Sequence, residues 1–347
     1  MLFIYIFTII LSLLWSCKRM VYSGTFIERK RFKYDSRLVL IFFLLLLLST
    51  TRSTDFPDCE EYIRIFTEDD HNDTRYELGF KYCVNIIRLI TNEPRAFFFI
   101  FGLIGISLKL KSIYKYSPEY MASILIYLTV FFVYLDMIQV RNSLSICFFL
   151  LAVVARSKDK WKEFFIYGLG AMLFHYSGFV LLFITALSSN RRIELYKWII
   201  PIAYVFHFFG NVVVGIDASM LGPLGQAFMG NTYNNDLLKP VNVFNSVQLM
   251  RILFFYCMYI NINDIIHKYP IAYLMLKVYA IGISMLPMLS FYPSISSRVH
   301  TYMCSIEILL LPSIFYIHKH KYLYKCSLYA YCMGTLLIFL LSVDNRF

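Results

Sequence analysis

Residues 38–67 read LVLIFFLLLLLSTTRSTDFPDCEEYIRIFT, an apolar run that breaks abruptly into a polar, acidic segment. The run Leu38–Leu48 has no polar side chain, so it suits hydrocarbon and not water. The segment Thr51–Arg95 is the opposite: ten of the chain's 22 acidic residues fall within it. It is too polar to enter a bilayer and too long for a tight connection. The contrast predicts a membrane helix followed by a loop on one membrane face.

The rest of the 347-residue chain extends this pattern. The hydrophobic fraction is 59%, above the range of ordinary soluble domains. Apolar runs cover roughly 2–17, 37–50, 95–112, 119–135, 140–155, 162–175, 177–188, 197–215, 247–263, 271–290, 299–317 and 321–342. The predicted fold class is an all-α polytopic membrane protein of about 12 transmembrane helices in one integral domain over residues 1–347. Short alternating strands are absent, which argues against an outer-membrane barrel. The net charge of +11 is compatible with nucleic-acid binding, but the Lys and Arg cluster in short loops between apolar runs. That distribution follows the positive-inside rule.

Charge also sets the expected orientation. Residues 18–37 hold seven Lys and Arg and are expected in the cytoplasm, which puts 51–95 outside. The first apolar segment has its basic residues after it, so it reads as an uncleaved helix. The stretch 161–189 is long for one helix and short for two, and both flanks are basic. Two short helices or a re-entrant hairpin are expected, with Phe174-His175-Tyr176-Ser177-Gly178 at the tip. The other expected cytoplasmic loops are 109–118, 156–162, 189–197, 264–270 and 318–325. A second outer loop, 216–246, is rich in Gly, Asn and Pro.

On this topology the unusual polar residues collect on one side. Arg52 and Asp55 follow the second span; Asp136, Gln139, Arg141 and Asn142 lie between the fourth and fifth. His175 caps the hairpin, Arg251 lies about one turn inside the ninth span, and Arg298 and His300 open the eleventh. Cations beside acids at helix ends suit a ligand that is anionic and rich in hydroxyls. A plainer reading exists for each. Arg141 and Arg298 are long enough to snorkel to head groups, and His175 alone suits an interior hydrogen bond. Arg251 is deeper, where a charge is costly. Glu307, expected near mid-bilayer, has Lys277 as a candidate partner. Tyr62, Tyr76 and Tyr233 are placed to stack on sugars, while most other aromatics are expected on the lipid-facing surface. Eight Cys show no metal-binding spacing; Cys59 and Cys83 share the acidic segment and are a candidate disulfide.

Five short motifs then occur in order: R-x-x-D at Arg52–Asp55, E-x-G-F at Glu77–Phe80, V-R-N-S-L-S at Val140–Ser145, F-H-Y-S-G at Phe174–Gly178 and S-R-V-H-T-Y at Ser297–Tyr302. Their order and spacing resemble the EpsG-type branch of the Wzy polysaccharide polymerases over about residues 35–320. The matching positions include Asp58, Tyr62, Arg141, His175, Arg298 and Tyr302. Thr54 and Asn142 stand where the family usually has Gly and Gln, and the first change leaves both Asp55 and Asp58 open as the matching acid.

The resemblance implies a fold like the lipid-dependent (GT-C-like) glycosyltransferases and a location in the bacterial cytoplasmic (inner) membrane, with the active site facing the periplasm. It implies transfer of a growing glycan from undecaprenyl diphosphate to a hydroxyl of a new lipid-linked repeat unit. The partners would be that lipid-linked oligosaccharide as donor and acceptor, the bilayer, a chain-length regulator and a flippase. Neither cofactor nor metal is called for. Asp55, Glu77 and His175 are candidates for the base. Arg52, Arg141, Arg251 and Arg298 are candidates for the diphosphate, with Asp58, Tyr62 and Tyr302 as further substrate contacts. Two other readings share the architecture: an acyl- or single-sugar transferase modifying a glycan, and a lipid-linked oligosaccharide flippase.

Overall fold

The computed structural model describes residues 2–18, 35–68, 76–187, 192–209, 241–290, 292–317 and 321–343. Most of the basic segment 18–37, the acidic run after Glu68, Tyr233 and most of 216–246 lie outside them.

Among the described residues the chain is helical, with no strand. The helices are α1 (Leu2–Lys18), α2 (Ser36–Thr50), α3 (Cys59–Thr67), α4 (Leu78–Ile90) and α5 (Pro94–Tyr116). Next come α6 (Tyr120–Ile138), α7 (Val140–Ser157), α8 (Trp161–Phe174) and α9 (Tyr176–Thr185). Then follow α10 (Tyr196–Phe209), α11 (Ser246–Ile260), α12 (Ile262–Lys268), α13 (Ala272–Met288), α14 (Pro293–Tyr316) and α15 (Lys321–Val343). Among the described residues, five helices are long and apolar enough to cross a membrane: α5, α6, α7, α14 and most of α15. A sixth is obtained if α11 and α12, bent by 76° at Asn261, count together. Helices α1, α2, α9 and α13 are apolar but shorter.

The hairpin over 161–187 is seen directly. Helix α8 runs to Phe174, the chain turns at His175, and α9 returns, so that Arg156 at the end of α7 donates to Leu187 O (2.6 Å) and to Asp159 Oδ1 (2.7 Å). Both ends of the hairpin therefore meet at the same end of α7. The close turn depends on Gly178, where a Cβ would lie 2.7 Å from Met172 N. Gly79 has the same role for α4, which packs against the carbonyl of Leu173.

Three expectations are corrected. Residues 109–116 are not a loop; they finish α5. Lys109 is wholly buried and binds Asp136 Oδ1 (2.9 Å) and Oδ2 (3.1 Å). Ser143 Oγ (2.7 Å to Oδ1) and Tyr127 OH (2.7 Å to Oδ2) complete the carboxylate. The winding of α6 makes this possible. Tyr127–Ile138 follows an i→i+5 pattern, at about 4.4 residues per turn. Tyr127 and Asp136, nine residues apart, are then about two turns apart on one face; at 3.6 per turn they would face opposite ways.

Glu307 is likewise not paired with Lys277. It accepts from Arg251 Nε (2.6 Å) and from Tyr331 OH (3.1 Å), while Lys277 lies over the Tyr273 ring, 4.5 Å from its centroid. Arg251 also donates to His300 Nε2 (2.7 Å), whose Nδ1 must carry the proton because it faces Gly282 O (2.9 Å), which only accepts. Third, many aromatics fill the interior. Tyr62, Phe80, Phe97, Phe98 and Phe101 form one ring cluster, with Phe97 and Phe101 centroids 4.5 Å apart, so Tyr62 is not open for stacking. Cys59 and Cys83 are both free thiols.

The Arg251–Glu307 pair gives a stability test. Removing one partner strands a buried charge, at a cost of about 3–5 kcal/mol, whereas replacing both by apolar residues costs far less. Glu307→Gln is expected to lower the thermal unfolding temperature of the purified protein in micelles markedly. The double variant Arg251→Met with Glu307→Leu is expected to lie closer to wild type. Equal melting of Glu307→Gln and wild type would show that the pair is not holding α11 to α14.

Candidate functional site

Two residue layers, one helical turn apart, define the site. In the lower layer Ser145 Oγ on α7 donates to Ala171 O on α8 (2.8 Å), so Tyr302 OH on α14 donates to Ser145 Oγ (2.9 Å). All three residues are buried. Four residues along from each stand Arg141, His175 and Arg298. Side chains at i and i+4 share a helix face, so on α7 and α14 the lower contact places Arg141 and Arg298 above Ser145 and Tyr302, while His175 begins the turn that follows α8. Tyr302 is thus an interior anchor that sets the position of Arg298.

Arg141 is held from three sides. Its Nη1 donates to Glu77 Oε2 (2.7 Å), and its guanidinium carbon lies 4.9 Å from the Tyr76 ring centroid and 5.4 Å from that of Phe80. Glu77 is almost fully buried, and its other oxygen accepts from Tyr176 N (3.2 Å) at the hairpin turn. Both carboxylate oxygens are engaged in joining α4, α7 and α9. Glu77 therefore fixes the position of Arg141.

Arg298 differs. It is exposed and forms no ion pair or hydrogen bond among the described residues. It lies within electrostatic reach of Asp58, His175 and Tyr134, and Arg141 reaches the first two as well. Asp58 is exposed, caps no helix with its side chain and has φ of 64°, in the left-handed region. Such a conformation in a non-glycine residue is uncommon and concentrates at functional positions. Partial burial by the surrounding chain pushes its carboxyl up, while Arg141 and Arg298 pull it down.

His175 Nδ1 accepts from Ser177 N (3.1 Å). A backbone amide only donates, so the neutral ring carries its proton on Nε2. His175 therefore offers a donor to this space and is poorly suited to be a base. Asp55 is bound by the Ser53 hydroxyl (2.6 Å) in the turn before Asp58. Of the two acids left open by the motif, Asp58 is the one facing the cations.

Arg52 and Arg251 stand apart. Arg52 donates to Ser49 O (2.8 Å) and Met137 O (2.7 Å), tying the end of α2 to the end of α6. Arg251 is occupied by Glu307 and His300. One residue that sequence reading did not single out is Tyr134. Its hydroxyl accepts from Gln139 Nε2 (2.8 Å), and Gln139 Oε1 accepts from Asn142 Nδ2 (2.9 Å). This polar row edges the site. Tyr134 sits in an aromatic-rich run, and only the i→i+5 winding aims it here. Among the described residues no group of His, Cys, Asp and Glu is arranged to hold a metal ion.

The arrangement is therefore two arginines, one fixed and one free, with an acid and a ring N–H donor, at one end of an all-helical, membrane-crossing protein. The chain matches the EpsG family over residues 37–347 and belongs to that family, which is associated with Wzy-like polysaccharide polymerases. No curated protein and no solved structure matches it.

The contrast between the two arginines is measurable without any substrate. Arg298→Ala removes an exposed, unpaired group and should leave stability within about 0.5 kcal/mol of wild type. Arg141→Ala strands the buried Glu77 carboxylate and should cost about 3–5 kcal/mol. Thermal unfolding in micelles reads both, and equal losses would contradict the assignment of Arg298 as unpaired.

Proposed function

We propose that this protein is a Wzy-like polysaccharide polymerase, a glycosyltransferase that joins oligosaccharide repeat units carried on undecaprenyl diphosphate at the periplasmic face of the bacterial cytoplasmic membrane. The single observation that carries the reading is Arg298: an unpaired, exposed cation that acts, with Arg141, on Asp58 and His175. Family membership supports the polysaccharide class.

In the reaction, a hydroxyl of the acceptor unit attacks the anomeric carbon of the donor chain. The bond from that carbon to the diphosphate oxygen breaks, and the hydroxyl proton is lost. Asp58 takes the proton; its raised carboxyl makes it a stronger base than an ordinary carboxylate. Negative charge grows on the departing lipid diphosphate, where Arg298 and Arg141 meet it with charge-assisted hydrogen bonds. The His175 Nε2–H adds a third donor. Glu77 keeps Arg141 in place, and Tyr302 with Ser145 keeps the two arginines in register. The site sits below the end of the helix bundle: Phe101, beside Phe80 and hence Arg141, is seven residues into α5 from Pro94, roughly 10 Å along its axis. A diphosphate near a head-group plane would reach that depth. The wider frame is a single integral domain of about 12 spans, counting the short apolar helices and the hairpin as crossings, in the manner of GT-C-like enzymes. A chain-length regulator and a flippase would be its partners.

Two experiments test this. First, deleting the gene should leave surface glycan of single-unit length, and a copy carrying Arg298→Ala should fail to restore long chains. Losing one donor to developing charge typically costs on the order of a hundredfold in rate. A complete loss of surface glycan would instead favour the flippase reading, and wild-type ladders from Arg298→Ala would remove the carrying observation. Second, the base must be deprotonated, so polymerisation by the purified protein should fall as pH drops through the Asp58 pKa, at a higher pH than for an ordinary carboxylate. Arg298→Gln removes one of the two groups pulling that pKa down, so the acid limb should move to still higher pH. An unmoved limb would assign it to another group.

A further inference from the structure

The polar row that edges the site has a direction. Asn142 Nδ2 donates to Gln139 Oε1 (2.9 Å), and Gln139 Nε2 donates to the Tyr134 hydroxyl (2.8 Å). Each step passes a donor toward Tyr134. The row begins in the interior, where Asn142 is buried, and ends at Tyr134, which is only half-buried. Gln139 is held by its backbone as well. Its N–H donates to Tyr134 O (3.0 Å), and its carbonyl accepts from Ser143 N (2.9 Å). A residue anchored at both backbone groups has little freedom to turn, so the Tyr134 oxygen keeps its partner.

A phenol has a single proton to donate. Structural tyrosines in this protein give theirs to internal acceptors: Tyr5 to Leu128 O (2.6 Å), Tyr204 to Val243 O (2.7 Å), Tyr127 to Asp136 Oδ2 (2.7 Å) and Tyr331 to Glu307 Oε2 (3.1 Å). The Tyr134 hydroxyl receives a hydrogen bond and, among the described residues, gives none. Accepting from Gln139 also polarises its O–H and makes it a better donor. The hydroxyl lies within electrostatic reach of both Arg298 and Asp58, so it borders the groups to which the reaction is assigned. Charge indicates what it is offered to. Two guanidiniums match an anionic diphosphate, whereas a neutral phenol matches a neutral oxygen. In the proposed reaction the neutral oxygen that must be held near Asp58 is the acceptor hydroxyl, which loses its proton to that carboxylate.

We propose that Tyr134 binds the acceptor: its O–H donates to the attacking sugar hydroxyl, while that hydroxyl donates to Asp58. The inference rests on the polymerase reading and adds to it the part of the site that holds the acceptor. Tyr134 keeps its proton throughout. One lone pair of the acceptor oxygen takes the phenol's hydrogen bond, and the other forms the bond to the anomeric carbon. The hydroxyl proton passes to Asp58, and the bonding pair leaves with the lipid diphosphate. Gln139 and Asn142 touch no substrate in this scheme; they are positioning residues that aim the phenol.

The test uses the full-length protein purified in detergent and, as substrate, lipid-linked repeat units extracted from a strain lacking the gene. Chain extension is followed across a range of substrate concentration and of pH. A contact made equally in the bound complex and in the transition state affects KM and spares kcat. Tyr134→Phe, which keeps the ring and removes the hydroxyl, should raise KM about tenfold and change kcat by less than about threefold. Gln139→Leu, which leaves the hydroxyl but removes the group that aims it, should raise KM several-fold and gives a second reading if Tyr134→Phe folds poorly. Arg298→Ala, which acts on the departing charge, should instead lower kcat. The acid limb of the pH profile should stay in place in Tyr134→Phe, because no charge is removed. A limb that moves would show that the substitution displaces Asp58 or Arg298, a structural role that overturns the proposal. Unchanged kinetics in Tyr134→Phe, or a fall in kcat with KM unchanged, also overturns it. Wild-type protein that fails to extend these units overturns the polymerase reading itself, whereas an active wild type with an indifferent Tyr134→Phe removes the acceptor assignment alone.

Discussion

The hydrogen-bond junction at Ser145 is the contact on which the site depends. One hydroxyl joins α7, α8 and α14, and it sits where hydrocarbon would leave any unpaired polar group at a cost of several kcal/mol. Both lone-pair and proton capacity are used: the proton goes to Ala171 O, and a lone pair accepts Tyr302 OH. Arg141 and Arg298 each lie one turn along their helices from a member of this junction, and His175 opens the turn after Ala171, so the contact joins the three segments that carry them. Two flexible arginine side chains on separate helices would otherwise have no reason to converge.

The buried charges elsewhere provide a contrast that separates scaffold from site. Lys109 with Asp136, Arg251 with Glu307, and Arg52 with two backbone carbonyls all have their donors satisfied by internal partners. Each network joins separate elements: α5 to α6 and α7, α11 to α14 and α15, α2 to α6. Without such compensation an ionised group at these depths would not persist. Arg298 and Asp58 are different in kind: they are exposed, and among the described residues neither side chain is engaged by an internal ion pair or hydrogen bond.

Much of this was legible in the chain itself, though unevenly. The apolar runs marked the helices because hydrocarbon demands unbroken apolar length, and the basic flanks of 161–189 pointed to a hairpin whose turn falls at His175. The motif residues marked positions along the chain without their roles. Glu77 and Arg141 are one ion pair drawn from positions 64 residues apart, and no periodicity within either helix encodes that meeting. Arg251 and Arg298 look alike in sequence, each an arginine in an apolar helix; only the presence of Glu307 opposite one of them makes it scaffold. Lys109 was misplaced because a lysine near the end of an apolar run resembles a loop boundary. Its partner Asp136 is brought to it by a local i→i+5 winding of α6 that hydropathy does not register.

On the proposed reading, the two arginines divide the work of handling a departing anion. Arg141 is clamped by Glu77 and by two aromatic rings, so its position is set before any ligand arrives, which is what makes a charge effective against a transition state. The clamp has a cost in strength, because part of its field is already cancelled by the carboxylate. Arg298 carries no such partner and keeps its full charge, but it is exposed and less constrained. A diphosphate passing between them would meet one cation that fixes geometry and another that supplies field. The left-handed backbone at Asp58 belongs to the same proposed scheme: its carboxylate is under the influence of two guanidiniums and makes a closed ion pair with neither among the described residues.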